Sequence, residues 1–436
     1  MFSAFTLKSL LVLTVTFSSG ERGGLVKVKI LYYGMSPFVP SGYGRTTREL
    51  VFRLRKFFEI DINAYYGFTH SVINLNTPYG SIKLIGNSVG NSYWDPSLPL
   101  TAKNYDIVLT HMDQWIIYNY LMEISKPMVH WLVHDHEPLS PVLIALLSSA
   151  NVAKVVPMTN WSRKVILRDC GLIDREKVAE PIPLGVDVEK FNPSFRRKAS
   201  KEELVKALGF NCECEFMVGT VAVNYSIREL IPTMMEAFAI FTKETKAKAC
   251  YYIHATPKRL NPESYDLALI KDTICDKYGL NWERIRFKAK DLTDEELAQV
   301  YNTMDVHLLT IMGGSFEMPI IEAGACETPT ITTDFSAMPE IVGYGERGLV
   351  VKPSAYLWVQ ALSSKYAMVN AKDVAEALRI YYEDEKLRKH HGRKMREWVL
   401  KNCTWDIVAE KWVKLLLDVE EYLKTAGKPK VKIYGL

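Results

Sequence analysis

The chain has 436 residues, a net charge of +4 and 48% hydrophobic content. That length is too great for one compact core and suits two domains, and the 24% charged fraction with many aromatics excludes a disordered chain. Lysines and arginines are scattered with no long basic block, so nothing in the composition points to nucleic acid.

The seven cysteines are an odd number and do not form a disulfide framework. "CEC" at 212–214 has the softness for a metal. No second Cys/His pair stands near it in sequence, so free thiols in a reducing compartment are expected. At the start, "LKSLLVLTVTFSSG" (7–20) has the outline of a signal peptide but is short and Thr/Ser-rich for a membrane span. A signal, an anchor and a start-site error all fit residues 1–25. The last is preferred, because the first strand begins directly afterwards.

That strand is "LVKVKILYYG" (25–34). A glycine-bearing loop, "MSPFVPSGYGR", follows it, and then a helix with Leu50, Val51, Leu54, Phe57 and Phe58 at helical spacing. The runs "FEIDINAYYG", "SIKLIGN", "YDIVLTH", "KPMVHWLVH" and "VAKVVPMT" read as further strands. "PLGVDVEKFNP" (183–193) and the charged stretch after it read as a hinge. The alternation then restarts with a strand at 215–223 and a helix at 228–245, and continues to "DVHLLTI" and "TPTITTDF". Two late helices, at about 370–384 and 405–424, close the chain. The last should present Trp412, Leu415, Leu416, Val419 and Tyr422 on one face. Strands alternating with helices predict an α/β fold of two doubly wound parallel sheets, with ligands at the carboxyl ends of the strands.

Several ordered motifs carry a resemblance. "GYGR" follows the first strand and "VHDHEP" ends a central one. "PLGVDVEKFNP" sits at the hinge, and "LTDEELAQVYNTMDVHLL" precedes "EMPIIEAGACETPTITTDFSAMPEIV". "TWDIVAEKW" opens the last helix. In this order they resemble the GT-B glycosyltransferases, and within them the retaining family four (glycosyl transferases group 1). The resemblance implies two Rossmann-like domains facing a cleft. Residues 26–195 would take the acceptor and 196–404 the nucleotide-sugar donor, with 405–436 packing back on the first domain. It implies transfer of a hexose to an acceptor hydroxyl with retention. The chain has no Asp-x-Asp pair, so metal-independent transfer is expected, the diphosphate being met by amides and cations.

The same resemblance assigns roles. Glu322 would accept from the ribose hydroxyls, since a carboxylate can serve two neighbouring donors. Gly42 and Gly44 would let the backbone approach the donor and acceptor. Arg228 would hold the diphosphate, although Glu229 stands where a lysine is common. His134 would contact the transferred sugar, while His111, Asp113 and Asp135 would line the acceptor side. Gly314, Ser315, Phe316 and Met318 complete the donor loop. The family's first glutamate falls on position 314, which is Gly314 here, while Glu317 stands where a glycine is usual. Glu317 is expected to supply that carboxylate from three residues further on. A first-turn glutamate favoured by the helix dipole is the plain alternative for Glu322, and a solvated Arg–Glu pair that for Arg228 and Glu229.

No cofactor is expected beyond a UDP- or GDP-linked donor. The acceptor is a glycan, lipid, protein or small molecule, and the setting is cytoplasmic with peripheral membrane association left open. A catalytically degenerate nucleotide-sugar binder or scaffold of the same fold is the alternative.

Overall fold

The computed structural model describes residues 28–426; the three readings of residues 1–25 lie outside them. Seven strands form the first sheet: β1 Lys29–Gly34, β2 Glu59–Thr69, β3 Val72–Thr77, β4 Gly80–Asn87, β5 Ile107–Met112, β6 Met128–Leu132 and β7 Val152–Pro157. Their order is β3-β4-β2-β1-β5-β6-β7, and every pairing is parallel except β3 with β4. The second sheet holds β8 Phe216–Val221, β9 Ala249–His254, β10 Ile285–Lys288, β11 Val306–Leu309, β12 Thr330–Thr333 and β13 Gly348–Val351. It is parallel throughout, in the order β10-β9-β8-β11-β12-β13. Every residue of β5, β6 and β8 is buried, as apolar runs in a sheet covered on both faces must be.

This topology fixes where a site can form. β1 lies between β2 and β5, and β8 lies between β9 and β11, so each sheet reverses its winding at that strand. Loops leaving a switch point diverge and open a crevice at the carboxyl ends of the strands. In the first domain these are the loop after β1 and the turn at Asp113. In the second they are the loop holding Arg228 and the loop 310–317. The two crevices face each other closely. A Cβ at Gly42 would lie 3.2 Å from the Met318 sulfur, and one at Gly313 would lie 2.2 Å from the Asp135 carbonyl oxygen. Both are glycines at a contact between opposing walls.

Several elements differ from expectation. The first helical run ends at Leu54, so Phe58 is buried from the turn beyond it while Phe57 is 44% exposed. β3 is almost wholly exposed, and Ile73 and Leu75 on one of its faces make only a short apolar pattern. The charged stretch after 193 is not a free hinge. It forms helices Ser194–Lys198 and Lys201–Ala207. Arg196 fastens it to the second domain by donating to the carbonyls of Asn302 at 3.0 Å and Met304 at 2.8 Å. Two late elements were not anticipated: a hairpin of β14 Ala355–Val359 and β15 Ser364–Met368, and an 18-residue helix Glu385–Asn402. The helix Trp405–Ala426 returns to the first domain, where Arg53 pairs with Asp406 at 2.8 Å and Trp412 meets Trp131 edge-on. Tyr422 is 55% exposed, off the buried face that Trp412, Leu416 and Val419 share. Among the described residues, no helix is long and apolar enough to cross a membrane.

Candidate active site

The donor loop connects β11 to the helix Met318–Ala325. Pro319 suits the first turn of that helix, where a missing N–H costs nothing. Its small residues allow close packing, and a Cβ at Gly324 would lie 2.4 Å from Met395 of the Glu385–Asn402 helix. The first-turn amide of Ile320 is used internally, donating to the Glu317 carbonyl at 3.1 Å.

Position 314 explains itself geometrically. A Cβ at Gly314 would fall 2.6 Å from the Glu317 Oε1. The carboxylate of Glu317 therefore occupies the space that a side chain at 314 would need. Glu317 pairs there with Arg228 at 3.2 Å, and the Gly314 amide donates to the Ser336 hydroxyl at 3.0 Å. Ser315 is partly exposed, whereas Phe316 and Met318 are each 6% exposed and belong to the packing under the loop.

Arg228 is fully engaged by its own domain. It donates to the Gly313 carbonyl at 2.7 Å and pairs with Glu229 at 3.0 Å as well as with Glu317. Burial works against its charge, but Glu229 and Glu317 outweigh that and hold it protonated. Glu229 is nearly buried, and burial raises its pKa against the pull of Arg228.

Glu322 lies on the same helix, 1% exposed. Tyr301 donates to one of its oxygens at 2.9 Å. Arg45 from the first domain stands 2.8 Å from the other, a charge contact that is out of line for a hydrogen bond. Burial raises the pKa of Glu322, opposed by Arg45 and Tyr301. Arg45 also pairs with Asp294 at 3.3 Å, and Asp294 accepts from Lys190 at 3.1 Å. Arg45, Lys190 and Tyr301 were not singled out from the sequence. "GYGR" was quoted for its glycines, and its arginine was the missed signal.

On the first-domain wall, the Gly42–Thr46 turn starts under a Ser41 cap and carries Tyr43. Gly44 is required by close approach, since a Cβ there would lie 2.1 Å from the Val39 carbonyl oxygen. Tyr43 donates to Asp113 at 3.0 Å. Burial and the nearby Asp135 charge push Asp113 up to about 6, against the hydrogen bond from Tyr43. Asp135 goes the other way. Burial raises it, but His136, the charge of Arg228 and a 3.0 Å hydrogen bond from Tyr366 bring it down to about 2. Two neighbouring carboxylates thus titrate far apart, an arrangement that separates acid and base roles. Asp135 touches the donor loop through Gly313 and the hairpin through Tyr366, so it sits at the domain junction rather than on an open acceptor wall.

His111 lies deep in the first-domain wall. It is 2% exposed in the core, between the rings of Tyr43 and Trp131, with its Nδ1 3.1 Å from the Tyr32 hydroxyl. His134 is wholly buried and stacks on Trp161 with ring centres 4.9 Å apart. Its Nδ1 meets the Ser162 hydroxyl at 3.0 Å, while its Nε2 has no hydrogen-bond partner. Burial brings it down to about 3, so the ring is neutral. Glu340 of the second domain accepts from the amides of Asn160 and Trp161, at 3.0 and 2.9 Å, and so fixes the ring on which His134 stacks.

Residues 233–367, which span the donor loop and its helix, match the family described as Glycosyl transferases group 1. The mannosylfructose-phosphate synthase of Agrobacterium fabrum is 24% identical over 199 residues, covering 46% of this chain and 41% of that protein. The D-inositol 3-phosphate glycosyltransferase of Pseudarthrobacter chlorophenolicus is 22% identical over 308 residues, covering 66% and 65%. The chain thus spans less than two thirds of the length of these relatives. Among solved structures, Anabaena HepE in complex with UDP-glucose superposes with a TM-score of 0.64 at 15% identity, over 91% of this chain and 100% of that one. The chain thus has the GT-B fold of known glycosyltransferases. Within it, residues 233–367 match the glycosyl transferases group 1 family.

Proposed function

We propose that the protein transfers a hexose from a UDP- or GDP-linked donor to an acceptor hydroxyl, in the cleft between its two sheets. The observation that carries this reading is the placement of Glu317 in the space at Gly314, beside Arg228, with Glu322 further along the same helix. Two carboxylates and a cation then lie along one loop–helix junction, in the order sugar, diphosphate and ribose. Arg228 stabilises charge developing on the leaving diphosphate. Glu317 accepts from the sugar hydroxyls, and Glu322 from the ribose once Arg45 withdraws. The orphaned Nε2 of neutral His134 suits a sugar hydroxyl better than proton abstraction. Asp113 and Asp135 stand where the first domain meets that junction.

Retention at the anomeric carbon, with the leaving phosphate taking the acceptor proton, completes the reading. Transfer needs no added metal, in keeping with a sequence that lacks an Asp-x-Asp pair. Closure of the two walls excludes water and limits donor hydrolysis. The setting is cytoplasmic, and glycan, lipid, protein and small-molecule acceptors are all compatible with the cleft.

A second reading is favoured by one specific observation: the donor-side cations are already paired, Arg228 with Glu229 and Glu317, and Arg45 with Glu322. A binder that holds a nucleotide sugar without transferring it has this character. Incubation with UDP- and GDP-hexoses and an acceptor panel, with and without EDTA, separates the two. Sugar transfer that survives EDTA, with the product anomer matching the donor by NMR, supports the transferase. Nucleotide binding with neither transfer nor hydrolysis supports the binder.

A further inference from the structure

The fold gathers cysteines that are distant in sequence at the end of the second sheet opposite the cleft. Cys212 and Cys214 lie in the loop between the Lys201–Ala207 helix and β8, and both are partly exposed. Cys250 is the second residue of β9, is fully buried, and pairs in register with Met217 of β8. Its sulfur is 3.4 Å from that of Cys212, which is van der Waals contact between two thiols. Cys214 joins the group: hydrogen bonding from Cys250, and then the charge of Lys201, lower its pKa despite burial. All seven cysteines are free, as expected, but sheet pairing brings Cys250 to "CEC", a proximity that sequence distance hides. Among the described residues, no set of three His, Cys, Asp or Glu side chains has the placement to hold a metal. The chemistry left to this group is that of thiols.

We infer that Cys212 and Cys250 are a modification site, closed to a disulfide by peroxides, with Cys214 beside them. The step balances as follows. A thiolate sulfur attacks one peroxide oxygen, so an S–O bond forms, the O–O bond breaks, and hydroxide leaves to become water. The second thiol then displaces the sulfenic oxygen, so the S–S bond forms, the S–O bond breaks, and a second water leaves with that thiol's proton. Two thiols are oxidised and one peroxide is reduced to two waters. Partial exposure of Cys212 gives the oxidant access, and contact with Cys250 makes capture of the sulfenic acid faster than further oxidation. The bridge ties the loop between the Lys201–Ala207 helix and β8 to β9. It closes a long loop, which raises thermal stability by restricting the unfolded chain. The inference is independent of what the cleft binds.

The test treats the full chain with hydrogen peroxide, alkylates it with iodoacetamide under denaturing conditions, and reads intact mass and linked peptides. The expected product has two fewer alkylated thiols than the reduced protein, one peptide pair joining 212 to 250, and full reversal by dithiothreitol. Cys212→Ser, a change at a partly exposed loop position, should form no such bridge, while Cys275→Ser should form it as the natural chain does. Seven alkylated thiols after oxidation, a bridge that maps to other cysteines, or an unchanged thiol loss in Cys212→Ser would overturn the assignment.

Discussion

The two ends of the donor helix are built alike and held differently. At one end Arg228 is neutralised by Glu229 and Glu317, all from the second domain. At the other, Glu322 is neutralised by Arg45, which crosses the cleft from the first domain. A pair within one domain survives opening of the cleft, whereas a pair across it cannot. The Arg228 end is therefore preorganised, and the Glu322 end is a contact that opening must break. Electrostatics sharpen the point. Glu229, Glu317, Glu322, Asp294, Asp113 and Asp135 outnumber the cations Arg45, Arg228 and Lys190 around the junction. On the proposed function, a diphosphate entering this cleft must displace acids from cations.

Replacing each end should break it in its own way. Arg228→Ala removes the fixed cation and should lower kcat by about 10²–10³-fold, read from initial rates at saturating donor. Glu322→Ala leaves Arg45 without its buried partner. Asp294 still faces Arg45 at 3.3 Å, so a loss of about 1–3 kcal/mol in unfolding free energy is expected, seen as a lower Tm together with lost nucleotide binding. Arg45→Ala acts in the opposite sense on affinity, because it removes the group that competes with the ribose. The Kd for the nucleoside diphosphate should fall about tenfold by calorimetry, at some cost in stability. Equal affinity in this variant and the natural chain would mean that the cross-cleft pair does not gate the ribose end.

Asp113 offers a smaller test through pH. Its folded pKa of about 6 lies above the ordinary 3.8, so between those values the folded protein binds the extra proton. This contribution to stability is present at low pH, declines as pH rises through the range, and becomes a full penalty above 6. Asp113→Asn should therefore raise Tm at pH 8, by an amount corresponding to at most about 3 kcal/mol, and change it little at pH 4. A gain of the same size at both pH values would show that packing, not charge, is responsible.

The sequence carried the fold because strand and helix periods differ and their alternation has few three-dimensional solutions. It lost the elements whose apolar pattern is weak. β3 is exposed, and the Glu385–Asn402 helix buries little beyond His391, Gly392, Met395 and Val399. The hairpin escaped notice because it packs on the "HDHEP" loop of the other domain, where Lys365 donates to the Glu137 carbonyl at 3.0 Å. The site divided along the same line. Glu322, Arg228 and Glu317 stand at a strand–loop–helix junction that a sequence pattern can mark. Arg45 and Tyr366 became legible only once the domains met, because their partners lie far away in the chain. His111 shows the same limit, since its partners Tyr32 and Trp131 sit on neighbouring strands far away in the chain.

The central claim is that Glu317 serves the sugar end of a nucleotide-sugar site. Titration calorimetry of the natural chain and Glu317→Gln, each with a nucleoside diphosphate and with the matching nucleotide hexose, tests it directly. The account predicts equal affinity for the nucleoside diphosphate in both proteins and about tenfold weaker binding of the nucleotide hexose by the variant alone. Equal binding of the nucleotide hexose by both proteins, or no binding of either ligand by the natural chain, would contradict it.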